Sequence, residues 1–208
     1  RPREVPEPLL VEPARVYYAP TYTQAIRHIE ELYQADGFLG VRVGPERVER
    51  LASGEIAIVV PVVEGPQTRL HSVSVTGNTI LGSRELVSAS GLERGAPFGY
   101  LGLEDARIKM QALYRELGYL YARVEPEPRF SADRTRVEVT FRIVERYPVR
   151  VSGVVFRGLV RTNESLARSR LQLDEGDLYR PSLARRSEEL LLELGVFSGA
   201  TISVEDED

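Results

Sequence analysis

The chain has 208 residues, of which 42% are hydrophobic and 28% are charged, a balance that is typical of globular proteins. Its formal net charge of −4 excludes a uniformly basic surface, so we expect no nucleic-acid partner. It contains no cysteine, which excludes disulfides, thiolate nucleophiles and thiolate metal sites.

The first predicted element is a helix. Thr21 to Gln24 resembles a capping box, and apolar side chains follow at helical spacing from Ala25 to Tyr33. Ile56, Ile58, Val60 and Val62 then align, at a shift of 81 residues, with Val137, Val139, Phe141 and Ile143 of the next unit. No convincing strand precedes the helix. We therefore expect residues 1–66 to form a module whose N-terminal part is incomplete.

The middle unit, residues 67–146, predicts the order β-α-α-β-β. Val73 and Val75 alternate with polar neighbours, as in a strand, and Ser83 is a plausible N-cap for a short helix. A second helix ends before Gly118. Its predicted apolar stripe consists of Leu103, Ala106, Met110, Leu113, Tyr114 and Leu117.

Two further strands complete the middle unit. One is predicted to begin at Tyr119 and to run through Val124, and a turn follows around Asp133. Apolar residues then alternate from Val137 to Ile143, which is typical of a strand with one buried face. Two helices can cover one face of such a three-stranded sheet. The predicted fold class is therefore α+β, built from tandem modules with a mixed sheet and two helices on one face.

The third unit, residues 147–208, has the same order without its last strand. A strand is expected near Val154 to Phe156, and Asn163 is expected to cap a short helix. Pro181 stands near the first position of a second helix, which is lined by four leucines. The closing strand is expected to be missing. Short linkers that contain Pro66 and Pro148 predict limited hinge motion between the units.

An internal repeat supports this division. A shift of 81 residues aligns apolar, glycine and acidic positions without a gap across the first and middle units. The aligned pairs include Ala25 with Ala106, Tyr33 with Tyr114, Gly37 with Gly118, Glu64 with Glu145, and, for the third unit, Gly95 with Gly176. A shared order of this kind indicates repeated copies of one module.

The modules resemble the polypeptide-transport-associated (POTRA) domain. In the middle unit the resemblance is carried by Val73–Asn78, Gly95–Phe98, Tyr114–Tyr119 and Val144–Glu145. The other units contribute Tyr33–Phe38, Val63–Gly65, Phe156–Gly158, Gly176–Tyr179 and Gly195–Phe197. The middle unit departs from the pattern by ending in Val-Glu-Arg, and the third lacks the tyrosine before Gly195.

The resemblance implies a periplasmic array on the inner side of the bacterial outer membrane, within the BamA/TamA-like superfamily of β-barrel assembly and transport proteins. Implied partners are unfolded outer-membrane proteins, accessory assembly lipoproteins or periplasmic chaperones, and a C-terminal membrane β-barrel in the same chain. Two alternatives stay open: the arm of a two-partner secretion transporter, and a structural or divisome-type scaffold module.

The implied mode of binding is β-augmentation, in which an extended guest pairs with an exposed sheet edge. In related modules the edge is the second strand. The resemblance places it at Tyr119, Leu120, Tyr121, Ala122, Arg123, Val124 and Glu125 in the middle unit, and at Phe197, Ile202 and Val204 in the third. No pattern indicates catalytic residues, a cofactor or a metal site, so we expect a binding protein and not an enzyme.

Overall fold

A computed structural model describes residues 18–159 and 162–205. The middle unit is a complete α+β module. It consists of β5 (Arg69–Thr76), α2 (Ser83–Ser90), α3 (Tyr100–Glu116), β6 (Arg123–Phe130) and β7 (Arg136–Val144). The strand order is β5-β7-β6, with the central β7 parallel to β5 and antiparallel to β6. The predicted β-α-α-β-β order and mixed three-stranded sheet are confirmed.

The core of this module lies between the sheet and the two helices. From β7 it receives Val137, Val139, Phe141 and Ile143, and from the helices Leu86, Leu103, Ala106, Met110 and Tyr114. The other face of the sheet is polar, and Ser74 and Thr140 are hydrogen bonded there across neighbouring strands over 3.0 Å. Alternation along β7 therefore separates a dry face from a solvated one, as the sequence predicted.

Two details of the middle helices differ from the sequence expectations. Ser83 is the first residue of α2, and the N-cap is Gly82, which provides no side-chain cap. Leu117 follows α3 as its C-cap and is 36% exposed, so it does not extend the buried stripe. Gly118 comes next with a φ of +87°, and this left-handed conformation ends the helix as expected.

The first unit contains α1 (Ala19–Ala35) and an interrupted hairpin. The prediction that Thr21 starts the helix is wrong, because Pro20 already occupies the first turn, where a missing N–H costs nothing. The hairpin consists of β1 (Arg42–Val43), β2 (Arg47–Arg50), β3 (Ile56–Val59) and β4 (Val62–Val63). β2 pairs with β3, and β1 pairs with β4.

The third unit contains α4 (Glu164–Arg168) and α5 (Pro181–Glu193). Both predicted helix starts are confirmed, since the Asn163 side chain accepts a hydrogen bond from the Ser165 amide and Pro181 opens α5. The strand expected at Val154 to Phe156 is not formed. A strand requires a ladder partner, and the described residues of this unit contain no equivalent of β7.

None of the helices in the described ranges is long and apolar enough to cross a membrane.

Candidate binding edge of the middle module

The candidate edge is β6, the outermost strand on one side of the sheet. Its whole length pairs with β7, from Arg123 opposite Val144 to Phe130 opposite Val137. Only one side of β6 is thereby satisfied, so its other side is available to a further strand.

A single hydrogen bond identifies which backbone groups of β6 face outward. The amide of Ser131 donates to the carbonyl of Arg136 over 2.9 Å, which shows that the amide of residue 131 points toward the partner strand. In an antiparallel ladder such residues alternate with residues that direct their amides and carbonyls away from the partner. Continuing the register along β6 therefore points the groups of residues 124, 126, 128 and 130 outward.

Two of the four outward positions are prolines, which have no N–H to donate. Pro126 and Pro128 can stand inside β6 because neither position has to donate to β7. The outward edge therefore offers four carbonyl acceptors but only two amide donors, at Val124 and Phe130. This chemistry makes β6 an accepting edge.

The upstream end of the edge is closed by α3. The Gln111 amide group donates to the carbonyl of Ala122 over 2.8 Å, and the Ala122 amide donates to Tyr119 over 3.1 Å. The hydrogen bonds of Ala122 thus lie within its own module. A guest strand would find its first free groups at Val124.

The prediction that a strand begins at Tyr119 is wrong. Tyr119 to Ala122 form a turn that follows Gly118, and the strand starts at Arg123. The ring of Tyr119 packs against Tyr114 with 6.5 Å between centroids. The alternating aromatic pattern here reflects packing of a tight turn. Of the seven residues expected to form the middle edge, β6 includes Arg123, Val124 and Glu125.

The residues expected to form the edge of the third unit are not in a strand. Phe197 and Ile202 are half-buried, and Val204 is 42% exposed. The amide of Ile202 donates to a carboxylate oxygen of Glu188 on α5, over 2.6 Å. This segment therefore lies against α5 through a side-chain contact and presents no ladder of its own.

Charged side chains lie along both sides of β6. On the solvated face, Arg142 of β7 forms ion pairs with Glu125 and Glu127 of β6. On the α3 side, the guanidinium of Arg107 lies between Glu104 and Gln111, and its hydrogen bond holds the pKa of the Glu104 carboxyl below its usual value. A guest strand would therefore meet polar side chains above and below its backbone.

Comparison with known sequences decides the family. The sequence model of the POTRA family, described as surface antigen variable number repeat, matches residues 68–146 and 149–208. The chain belongs to the POTRA family. Its modules are tandem POTRA domains of a BamA-like protein.

Two curated relatives are outer-membrane assembly factors. Outer membrane protein assembly factor BamA of Neorickettsia risticii (strain Illinois) is 26% identical over 171 residues, which cover 81% of this chain and 23% of that protein. A putative outer membrane protein assembly factor of Treponema pallidum (strain Nichols) is 29% identical over 145 residues, or 69% of this chain and 17% of that protein. The chain thus spans about a fifth of the length of these relatives.

A solved structure shares the fold. The crystal structure of POTRA3-5 of Haemophilus influenzae BamA matches with a TM-score of 0.60 and 22% identity. The match covers 86% of this chain and 71% of that chain.

A tyrosine–glutamate pair recurs in the first and middle units, and the sequence reasoning missed its role. The Tyr114 hydroxyl donates to Glu145 over 2.9 Å, and the Tyr33 hydroxyl donates to Glu64 over 3.1 Å. Both pairs were visible as repeated positions, and their constant separation could have indicated contact. Glu145 follows the end of β7, so its pair with Tyr114 attaches the sheet to α3.

Glu145 also fastens the loop after β5. It accepts hydrogen bonds from the amides of Thr79 and Ile80, at 2.7 and 2.8 Å, and from the Thr79 hydroxyl. Burial alone would raise the pKa of this carboxyl, but the combined donors hold the pKa below its usual value. The pKa of Tyr114 is raised, first by burial and then by its hydrogen bond to Glu145.

Proposed function

We propose that this chain is the tandem POTRA segment of an outer-membrane protein assembly factor and lies on the periplasmic side of the outer membrane. In this proposal it binds unfolded outer-membrane proteins in extended form by β-augmentation. Accessory assembly lipoproteins or periplasmic chaperones are its further partners. The names of the two curated relatives and the match to the POTRA family support this function.

One observation carries the binding mode: β6 is the outermost strand of its sheet, and the carbonyls of Val124, Pro126 and Pro128 point away from β7, its one partner in that sheet. An extended guest can donate its own amides to these carbonyls. Recognition through the guest backbone tolerates different side chains. That tolerance suits a receiver of many clients.

The prolines make this binding weak. A guest paired along β6 receives no hydrogen bond from positions 126 and 128, so it forms about three quarters of the ladder that a proline-free edge would allow. Ordering a disordered guest opposes binding further. Weak pairing lets a client leave, and prolines at an edge also protect a sheet from permanent association.

The sharpest test adds donors instead of removing them. Replacing Pro126 and Pro128 by alanine places two outward N–H groups on β6 without touching the buried strand positions. Each new hydrogen bond should contribute roughly 1 kcal/mol, so affinity for an extended outer-membrane peptide should increase about tenfold or more. Fluorescence anisotropy of a labelled peptide measures this change.

Pro45→Ala is the matched control, because Pro45 lies in the first unit between β1 and β2. Its affinity should equal that of the unmodified chain. An equal affinity for the double variant, with its fold retained by circular dichroism, would exclude β6 as the pairing edge.

A further inference from the structure

The two joints between successive modules share one backbone arrangement. At the first joint the Thr68 amide donates to the Gly37 carbonyl, and at the second the Val149 amide donates to the Gly118 carbonyl, both over 2.8 Å. The chain after each joint then forms one antiparallel bridge with the loop before the next long helix, namely Arg69 with Pro97 and Arg150 with Leu178. Each joint thus has the same attachment along its linker.

The second joint has an additional contact away from the linker. Glu116, the last residue of α3, accepts a hydrogen bond from the Ser182 amide over 3.1 Å and from the Ser182 hydroxyl over 2.6 Å. Ser182 lies in the first turn of α5, directly after Pro181. Since the first amides of a helix lack intrahelical partners, a carboxylate is a favourable cap at this place. The cap comes from the neighbouring module.

The first joint has apolar residues at the corresponding positions. The shift of 81 residues places Ala35 where the second joint has Glu116, and Leu101 where it has Ser182. The end of α1 approaches Gly99, where an added Cβ would lie 3.3 Å from the Ala35 carbonyl oxygen. The Gln67 side chain donates to the Asp36 carbonyl over 2.8 Å, but this bond again lies at the linker.

The two kinds of attachment restrain motion differently. Backbone bonds at a linker hold two modules together but leave rotation about that linker possible. A second attachment at a distance from the linker opposes this rotation, and a bidentate bond to a carboxylate is directional and charge-assisted. The close approach of the Ala35 backbone to Gly99 at the first joint has no carboxylate and therefore no such directional bond.

From this difference we infer that Glu116 is an intermodule latch. It holds the middle and third modules at one relative angle, while the first module, which lacks the latch, rotates more widely about its joint. The middle and third modules therefore move as one body, and the first module is the mobile part of the array.

Distances between spin labels test the latch directly. The chain has no cysteine, so introduced cysteines label single sites. Exposed Ser72 and Arg185 report on the second joint, and exposed Arg27 with Ser72 reports on the first. Double electron–electron resonance on the full chain should give a narrow distance distribution across the second joint and a broader one across the first.

Variants then assign the difference to Glu116. Glu116→Ala should broaden the second-joint distribution to at least the width of the first, and Ser182→Ala, which keeps the amide, should broaden it less. Glu104→Ala is the matched control, since Glu104 lies on the same helix but pairs with Arg107 inside its module. It should leave both widths unchanged.

The converse experiment moves the latch to the first joint. Ala35→Glu combined with Leu101→Ser should narrow the first-joint distribution. The inference is overturned if the two unmodified joints have equal widths, or if Glu116→Ala leaves the second joint narrow while circular dichroism shows retained structure. Equal broadening by Glu104→Ala would also overturn it, because general loosening of α3 would then explain the result.

Discussion

At the scale of single residues, the contact between Tyr114 and Glu145 joins three parts of the middle module. Tyr114 is fully buried in α3, and Glu145 follows the central strand and holds the loop after β5. A buried hydroxyl needs a hydrogen-bond partner, and a partly buried carboxylate needs several donors. The Tyr114–Glu145 hydrogen bond therefore offsets part of the cost of burying both groups.

Removing the aromatic ring of Tyr114 should strongly destabilise the middle module. Tyr114→Ala leaves a cavity beside Met110 and the sheet and should lower the free energy of unfolding of the middle module by roughly 3 kcal/mol or more. Tyr114→Phe retains the ring and should cost about 1 kcal/mol, the net value of a hydrogen bond. Chemical denaturation followed by circular dichroism measures both. Tyr147→Ala, at a 61% exposed tyrosine, is the control. An unfolding curve unchanged by Tyr114→Ala would contradict a core role.

Glu145 should make the module sensitive to acid. Its pKa is held below the ordinary value of 4.5 in the folded state, so the ionised carboxylate stabilises the fold fully above the unfolded-state pKa. That contribution is lost as the pH falls through the lower, folded-state pKa. The stability difference between the unmodified chain and Glu145→Gln should therefore shrink on acidification, as measured by denaturation at a series of pH values.

Glu138→Gln, an exposed change on the strand β7 that precedes Glu145, is the control for this titration. A difference between Glu145→Gln and the unmodified chain that stays constant from neutral to acidic pH would show that ionisation of Glu145 contributes nothing.

At the scale of secondary-structure elements, the sequence predicted what depends on local pattern. The helices α3 and α5 and the strand β7 follow from apolar spacing, and Asn163 and Pro181 marked helix starts. The strand that did not form in the third unit depends on a non-local partner. Val154 to Phe156 has a strand-like pattern but no ladder partner in the described residues, so no strand forms.

The edge strand was misplaced for a local reason and a non-local one. Tyr119 to Ala122 alternates as a strand would, yet Gly118 and the Ala122–Tyr119 hydrogen bond make it a turn. The register with β7 decides whether the backbone groups of Pro126 and Pro128 point toward β7 or outward, and the sequence of β6 alone does not determine that register. The sequence therefore located the candidate edge approximately. The missing outward N–H groups at Pro126 and Pro128 could be recognised only from the structure.

The turn at Gly77, directly after β5, should not tolerate a side chain. Gly77 has a φ of +79°, and an added Cβ would lie 2.2 Å from the Ile143 carbonyl oxygen. Gly77→Ala must therefore displace β7 in addition to its backbone strain, and it should destabilise the module by about 3 kcal/mol. Gly95→Ala, with a φ of +87° and no atom near its Cβ, should cost about 1 kcal/mol. Equal midpoints of chemical denaturation for the two variants would contradict the close approach.

At the scale of the whole molecule, one module order is used repeatedly with local changes. The 81-residue shift that aligns the sequence also aligns the joints, since the carbonyls of Gly37 and Gly118 accept the amides of Thr68 and Val149. Module boundaries near residues 66–67 and 146–147 stay a prediction, and limited proteolysis of the linkers would locate them. Differences between the copies, such as Glu116 in place of Ala35, give the joints different mobility.

The central claim is that an extended client pairs with the outward side of β6, and amide chemical-shift mapping of the full chain tests it most directly. An alternating peptide from an outer-membrane protein should shift the amides of Val124 and Phe130 and of their neighbours on β6. The chemical shifts of the amides in α2 and in the loop around Asp133 should not change. Shifts confined to loops, or to helix faces away from the α3–β6 groove, would contradict the claim and identify the module as a spacer or a docking site for folded partners.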